Sequence, residues 1–222
     1  MTRAERATAV CEILARTYPD AHCELDYTTP LELLVATILS AQCTDKRVNI
    51  VTKELFRVCR SAADYVALPP EQLEDLVKTT GFFRAKAKNI RACCAALVER
   101  HGGEVPRTME ELHALAGVGR KTANVVLNIA FRQPTIAVDT HLFRVANRTG
   151  LAPGETPLEV ELRLLKVIPE KYLFHAHHWL ILHGRYVCIA RKPECYRCII
   201  AEWCRFEPKT PPPKDWDGAP IH

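Results

Sequence analysis

Nowhere does this 222-residue sequence hold an apolar run long and uncharged enough to span a bilayer, and residues 1–10 form a charged start with no signal core. Both absences place the chain, as an expectation, in a reducing cytoplasmic compartment away from membranes. They argue against disulfides as the use of its ten cysteines. Alternation of apolar and polar residues at the strand period is nearly absent as well, which leaves helices to bury a core drawn from 48% hydrophobic residues. Charge of one sign is scarce too. Thirty Lys and Arg against 26 Asp and Glu leave a net +4, so bulk charge says little about a nucleic-acid partner, and the placement of the basic residues has to decide.

What is present is a run of four cysteines near the C-terminus, Cys188-x6-Cys195-x2-Cys198-x5-Cys204. A structural zinc site usually offers two C-x2-C knuckles, one for each end of the tetrahedron. Here a single knuckle stands between two lone cysteines, a pattern that suits a four-iron centre taking one thiolate per iron. Zinc, or no metal, are the alternatives. Cys11, Cys23, Cys43, Cys59, Cys93 and Cys94 have no ligand spacing and read as ordinary core or surface residues.

The rest of the chain reads as all-α. Val10, Ile13, Leu14 and Tyr18 recur at helical spacing, and Pro19 closes that element. Thr29-Pro30-Leu31-Glu32 predicts a capping box opening a helix to Leu39, and Thr156-Pro157-Leu158-Glu159 repeats the device. Further helices are predicted over 45–58, 62–68, 71–79, 84–101, 109–115, 120–131, 140–149 and 170–187. Gly81, Gly102, Gly117 and Gly150 fall where left-handed C-terminal caps would end them. From Glu207 onward, prolines including Pro208, Pro211 and Pro220 predict a flexible or surface-hugging tail.

Between two predicted helices lies Leu115-Ala116-Gly117-Val118-Gly119-Arg120-Lys121. Gly117 and Gly119 make a tight turn that exits into a helix start, where free N–H groups and the positive dipole end suit a phosphate; a plain helix–helix connection is the alternative. Lys121 sits in the first turn of that helix beside Arg120, and both neighbours disfavour its charged form, as a nucleophilic amine requires. The other reading is a lysine paired with phosphate. Asp139 precedes a new helical run in Val138-Asp139-Thr140-His141, where it serves as an N-cap or as a fixed carboxylate that stabilises growing positive charge.

Together with Ser40-Ala41-Gln42-Cys43-Thr44-Asp45 and the cysteine spacing, these segments resemble the endonuclease III family of helix-hairpin-helix DNA glycosylases from about residue 5 to residue 206. The resemblance implies two helical domains with an active-site cleft between them. Residues 23–133 would form a six-helix domain carrying the hairpin, residues 1–22 with 134–206 a [4Fe–4S] domain, and residues 207–222 a Pro-rich tail. By similarity Lys121 is the nucleophile, Asp139 the catalytic carboxylate, and Cys188, Cys195, Cys198 and Cys204 the cluster ligands. Gln42, Thr44, Asp45, Phe82, Gly117, Val118, Gly119 and His141 would meet DNA. Gln42 would fill the gap left by an extruded nucleotide and Phe82 would stand at the wedge position, although Phe82 also reads as the first core residue of the next helix. Ala116 replaces the family's usual proline, and Cys43 its usual alanine.

The implied activity is a bifunctional DNA glycosylase and AP lyase acting as a monomer on duplex DNA with oxidised pyrimidines or abasic sites, in the cytoplasm and, in a bacterium, at the nucleoid. Arg191 and Lys192, with Arg185 and Arg197 nearby, predict a basic patch that the cluster holds in shape for phosphate contact, a solvated loop being the bland reading. His175, His177 and His178 lack an evident third ligand and read as packing residues. The rivals are a DNA-binding module without activity, and an electron-transfer protein that would have no use for Lys121.

Overall fold

The computed structural model describes residues 1–218, which are helical throughout and contain no strand. The chain divides into two compact units. One is Cys23–Gln133; the other joins Met1–His22 to the chain from Pro134 onward.

The first helix, α1 (Arg3–Thr17), is opened by a Thr2–Glu5 capping box and belongs to the second unit. Its Arg6 is buried and donates to the carbonyls of Trp203 (3.2 Å) and Gly150 (2.8 Å), tying the start of the chain to a segment some two hundred residues away. Ala7, Val10 and Leu14 line the buried face.

The Cys23–Gln133 unit holds α2 (Pro30–Leu39), α3 (Asp45–Val58), α4 (Ala62–Ala67), α5 (Pro70–Val77), α6 (Phe83–His101), α7 (Met109–His113) and α8 (Arg120–Phe131), with a 3-10 turn over Lys78–Thr80. Helix α6 packs against α2, α4 and α5, and α8 against α2 and α7. The core contains Leu34, Leu39, Leu55, Tyr65, Ile90, Leu97 and Val126, and each Leu or Ile fully removed from water contributes about 1.5–3 kcal/mol.

In the other unit α9 (Thr140–Thr149), α10 (Pro157–Val167) and α11 (Glu170–Tyr186) surround a core that includes Leu142, Val145, Leu164 and Leu180.

Local signals placed most helix ends, with informative exceptions. Thr29 and Thr156 do cap α2 and α10. Their glutamates, however, reach one residue further back than a capping box requires. Glu32 accepts from the Thr28 N–H and Glu159 from that of Glu155, because the chain enters each helix with that amide turned toward the first turn. Helix α7 stops at His113 instead of Leu115, since the Leu115 carbonyl is taken by the Val118 N–H (3.1 Å) to close the hairpin turn. Gly102 and Gly150 are left-handed caps, whereas Gly81 pairs φ 70° with ψ 148°, outside the left-handed helical region.

The predicted tail is described to Gly218 and lies on the surface. Trp216 meets Tyr196 edge-on at 5.1 Å, and Lys209 Nζ donates to the carbonyls of Cys204 and Phe206. Its remainder, Pro220 included, lies outside the described residues.

Candidate active site and cysteine cavity

The hairpin is a hydrogen-bonded four-residue turn, Leu115 to Val118, with φ 77° at Gly117. Ala116 keeps a negative φ, so the turn is of type II, whose third position calls for glycine. Leu115 and Val118 are buried and anchor the turn in the core. Gly119 then serves as the N-cap of α8 with no side chain bonding to the helix start. The first-turn amides of α8 thus face outward without the Thr or Asp cap that opens α1, α2, α3, α9 and α10.

Lys121 lies on this first turn, exposed, with no hydrogen bond or ion pair among the described residues. Its charge is felt by Cys23, and so is that of Asp45. Burial raises the Cys23 thiol, and the Leu25 N–H, ahead of the two charges, partly offsets this. A residue that reads as ordinary in sequence therefore lies within the electrostatic reach of both Lys121 and Asp45. Nothing in the spacing announced it.

Thr44 caps α3 by accepting from the Arg47 N–H (3.3 Å). Cys43, where alanine is usual, is half-buried against the core. Gln42 and Phe82 are both exposed and both have positive φ, 53° and 47°. Phe82 does not begin the core of α6. It is 71% exposed, and Phe83 packs inward in its place.

In the other unit Asp139 caps α9, its Oδ1 accepting from the Leu142 N–H at 2.7 Å. Its second oxygen carries no hydrogen bond among the described residues, which leaves a carboxylate fixed at one end and available at the other. His141 is half-buried. Its Nδ1 lies 3.2 Å from Arg144 Nη2, and its Cβ fits against Gly184, where a side-chain carbon on the glycine would stand only 2.9 Å away.

Helix α9 also carries the two arginines that organise the cysteine loop. Arg144 donates to the carbonyls of Cys188 and Gly184, each at 2.8 Å. Arg148 donates to those of Ile189 (2.7 Å) and Ala190 (2.6 Å), and its Nη1 lies 3.6 Å from Cys188 Sγ. Each bond from a charged donor is worth about 1.5–3 kcal/mol, so the loop is held firmly to the helix that Asp139 opens.

Cys188, Cys195, Cys198 and Cys204 line one small hollow of about 20 Å³, walled by Val187, Pro193, Ile200 and Phe206. None of the four is in a disulfide. Cys198 is pushed up to about 12, chiefly by burial, with the Ile200 N–H partly offsetting this and the other three sulfurs adding to it. Four thiols facing one apolar hollow fit a cluster with one ligand per iron. Tetrahedral zinc would draw its sulfurs to about 3.8 Å from each other. Among the described residues no three His, Cys, Asp or Glu converge on a single ion.

Arg191 and Lys192 are exposed on the loop between the first two cysteines. Arg197 does not join them. It is ion-paired to Glu194 and donates to the Tyr186 carbonyl (3.1 Å), so its charge is neutralised locally. His175 stacks on Trp179 at 5.6 Å and His177 is buried, both in the packing of α11.

The comparisons with known proteins agree with this architecture. Residues 35–170 match the model of the HhH-GPD superfamily base excision DNA repair proteins. The chain is 55% identical to endonuclease III of Haemophilus influenzae over 192 residues, 86% of this chain and 91% of that one. It is 52% identical to endonuclease III of Escherichia coli over 202 residues, 90% and 96% of the two chains. Among solved structures, a trapped endonuclease III–DNA covalent intermediate with an estranged adenine superposes with a TM-score of 0.86 at 47% identity, covering 92% of this chain and 96% of that one. No described helix is long and apolar enough to cross a membrane. The chain therefore belongs to the endonuclease III family, within the HhH-GPD superfamily of base excision DNA repair proteins.

Proposed function

We propose that Lys121 and Asp139 carry the DNA glycosylase and AP lyase reactions of this chain, on oxidised pyrimidines and abasic sites in duplex DNA. The chain is a base excision repair DNA glycosylase with AP lyase activity. The observation that supports the assignment to Lys121 is an amine with no hydrogen bond or ion pair at a helix start that no side chain caps. The relative trapped as a covalent DNA intermediate requires a nucleophile of this kind.

A base inside the stack is out of reach of a protein amine, so the nucleotide first swings out, at a cost of a few kcal/mol that a damaged base reduces. Gln42 and Phe82 hold the opened duplex, and the hairpin amides from Gly117 to Gly119 grip the backbone. Thr44 and Asp45 border the same DNA face, and His141 supports the Asp139 end of α9. Once the Lys121 ammonium has given up a proton, the amine bonds to the sugar C1′ while the C1′–N bond breaks, its electron pair leaving with the base, which takes up a proton. The free carboxylate oxygen of Asp139 stabilises the positive charge that grows on the sugar. The nitrogen then loses a proton and its lone pair forms the C1′=N bond as the C1′–O4′ bond breaks and O4′ takes up a proton, which gives a protonated Schiff base. Removal of a C2′ proton then expels the 3′ phosphate, and water hydrolyses the imine to free Lys121.

Cys188, Cys195, Cys198 and Cys204 would hold a [4Fe–4S] cluster, one thiolate per iron. Bound there, it would cross-link the loop, and Arg191 and Lys192 would then be fixed for phosphate contact. The protein acts as a monomer in the compartment that holds the DNA.

Borohydride reduction during turnover on an abasic duplex should trap wild-type protein covalently and leave Lys121→Ala untrapped. Strand cutting by wild type without any trapped adduct would remove Lys121 from this role.

A further inference from the structure

Besides Arg132, the left-handed C-cap of α8, two exposed loops of the Cys23–Gln133 unit carry non-glycine residues in left-handed backbone, Gln42 at φ 53° and Phe82 at φ 47°. Such residues cost about 1 kcal/mol or more each and persist only where their surroundings over-determine them. One side chain does this for both. Lys86 is 5% exposed, and its Nζ donates to the carbonyls of Leu39 (2.8 Å) and Thr80 (2.6 Å). Leu39 ends α2 just ahead of Gln42, and Thr80 ends the 3-10 turn just ahead of Phe82. The backbone N–H of Lys86 donates in turn to the Phe82 carbonyl (3.1 Å), so the second loop is held at both ends.

Carbonyls at the C-terminal ends of helices lack partners within the helix and carry the negative end of its dipole. A buried ammonium, with several donors and a positive charge, satisfies two such ends together. No carboxylate pairs with it among the described residues. Burial accordingly lowers the Lys86 amine from its ordinary value. An apolar side chain at this position would leave both carbonyls without this donor. Helix α6 also meets the hairpin by packing: Asn89, three residues on from Lys86, lies against Gly117.

We infer that Lys86 is a positioning residue for duplex opening: its buried ammonium ties the loop bearing Gln42 to the loop bearing Phe82 and sets their spacing. This rests on the reading of Gln42 and Phe82 as the residues that hold the opened duplex. Lys86 touches no DNA itself and acts through those two.

The test compares cleavage of an abasic site in a duplex with cleavage of the same site in a single strand, where no stack has to be opened. The ratio of the two rates cancels the fraction of folded protein. Lys86→Met should lower the duplex rate about tenfold, equivalent to about 1.4 kcal/mol, with the single-strand rate within about twofold of wild type. Lys86→Gln, which keeps a donor for one carbonyl, should fall between and serves where Lys86→Met does not fold. In a Gln42→Ala/Phe82→Ala background the added change should cost little more, because the loops then carry nothing to position. Equal loss on both substrates, an unchanged ratio, or full additivity with the double variant overturns the assignment. If Gln42→Ala and Phe82→Ala leave the duplex rate intact, the underlying reading of those two residues has failed instead.

Discussion

A side-chain carbon on Gly117 would stand 2.9 Å from Cβ of Asn89, so the hairpin glycine is required by contact with α6 as well as by its φ of 77°. Its neighbour Ala116 has the opposite status. It occupies the second position of a type II turn, where φ near −60° is wanted, and its N–H makes no backbone hydrogen bond. Gly117→Ala should therefore destabilise by about 1–3 kcal/mol, from left-handed strain and overpacking together. Ala116→Pro should stabilise by about 0.4–1 kcal/mol by restricting the unfolded chain. Denaturant unfolding of the two variants reads both signs, and a destabilising proline at 116 would falsify the turn assignment.

Asp139 has two separable tasks, a cap oxygen on the Leu142 N–H and a charge. Asp139→Asn keeps an oxygen for the cap and should change stability by a few tenths of a kcal/mol, while Asp139→Ala loses about 1 kcal/mol. Base release should fall on the order of 10²–10³-fold in both, since both lack the charge. Unfolding curves and single-turnover kinetics on one thymine glycol duplex separate the tasks. Full activity in Asp139→Asn would leave the residue with capping alone.

Arg191 and Lys192 stand exposed, whereas Arg197 is spent on Glu194. Replacing Arg191 and Lys192 by alanine should weaken binding to all duplexes alike and reduce the slope of log K against log salt by about 1.8. Arg197→Ala should leave that slope unchanged. Titrations at several salt concentrations measure this, and a constant slope in the double variant would take the loop off the DNA.

Burial, with His175 and His22 as lesser causes, lowers His178 from 6.5 to about 4. Between those values the unfolded chain binds a proton that the folded chain refuses, so this group's contribution is full above the unfolded value and is lost as pH falls toward about 4. The loss is bounded at about 3–4 kcal/mol, and solvent reaching the half-buried ring brings it lower. His178→Gln should flatten the fall in stability between neutral and acidic pH. Parallel wild-type and variant curves across that range would show that the proton is taken up elsewhere.

Most of the helical architecture was legible because its signals are local. Thr29 before Pro30, Gly102 after His101 and Asp139 before Thr140 mark helix ends through bonds that span three or four residues, and a sequence displays such bonds directly. The glutamates of the two Thr-Pro-Leu-Glu segments were legible in kind but misplaced by one residue, because which N–H they reach depends on how the chain enters the helix. Arg197 was placed in a basic patch although Glu194, three residues earlier, was in view; on a 3-10 turn that spacing brings the two together.

Sequence by itself determined the helical class, the glycine hairpin, the reactive side-chain types and the spaced cysteines, since these depend on residue chemistry and short-range backbone geometry. Tertiary structure alone decided that Lys86 meets Leu39 and Thr80, that Cys23 feels the charge of Lys121, and that Arg6 reaches Trp203. All but the Lys86–Thr80 bond join residues far apart along the chain, and the hydrogen-bond partners are backbone carbonyls that every residue carries. No pattern of side chains announces them. Packing the apolar faces of α2, α6 and α8 into one core leaves the Lys86 ammonium a single dry place to go, between two helix ends.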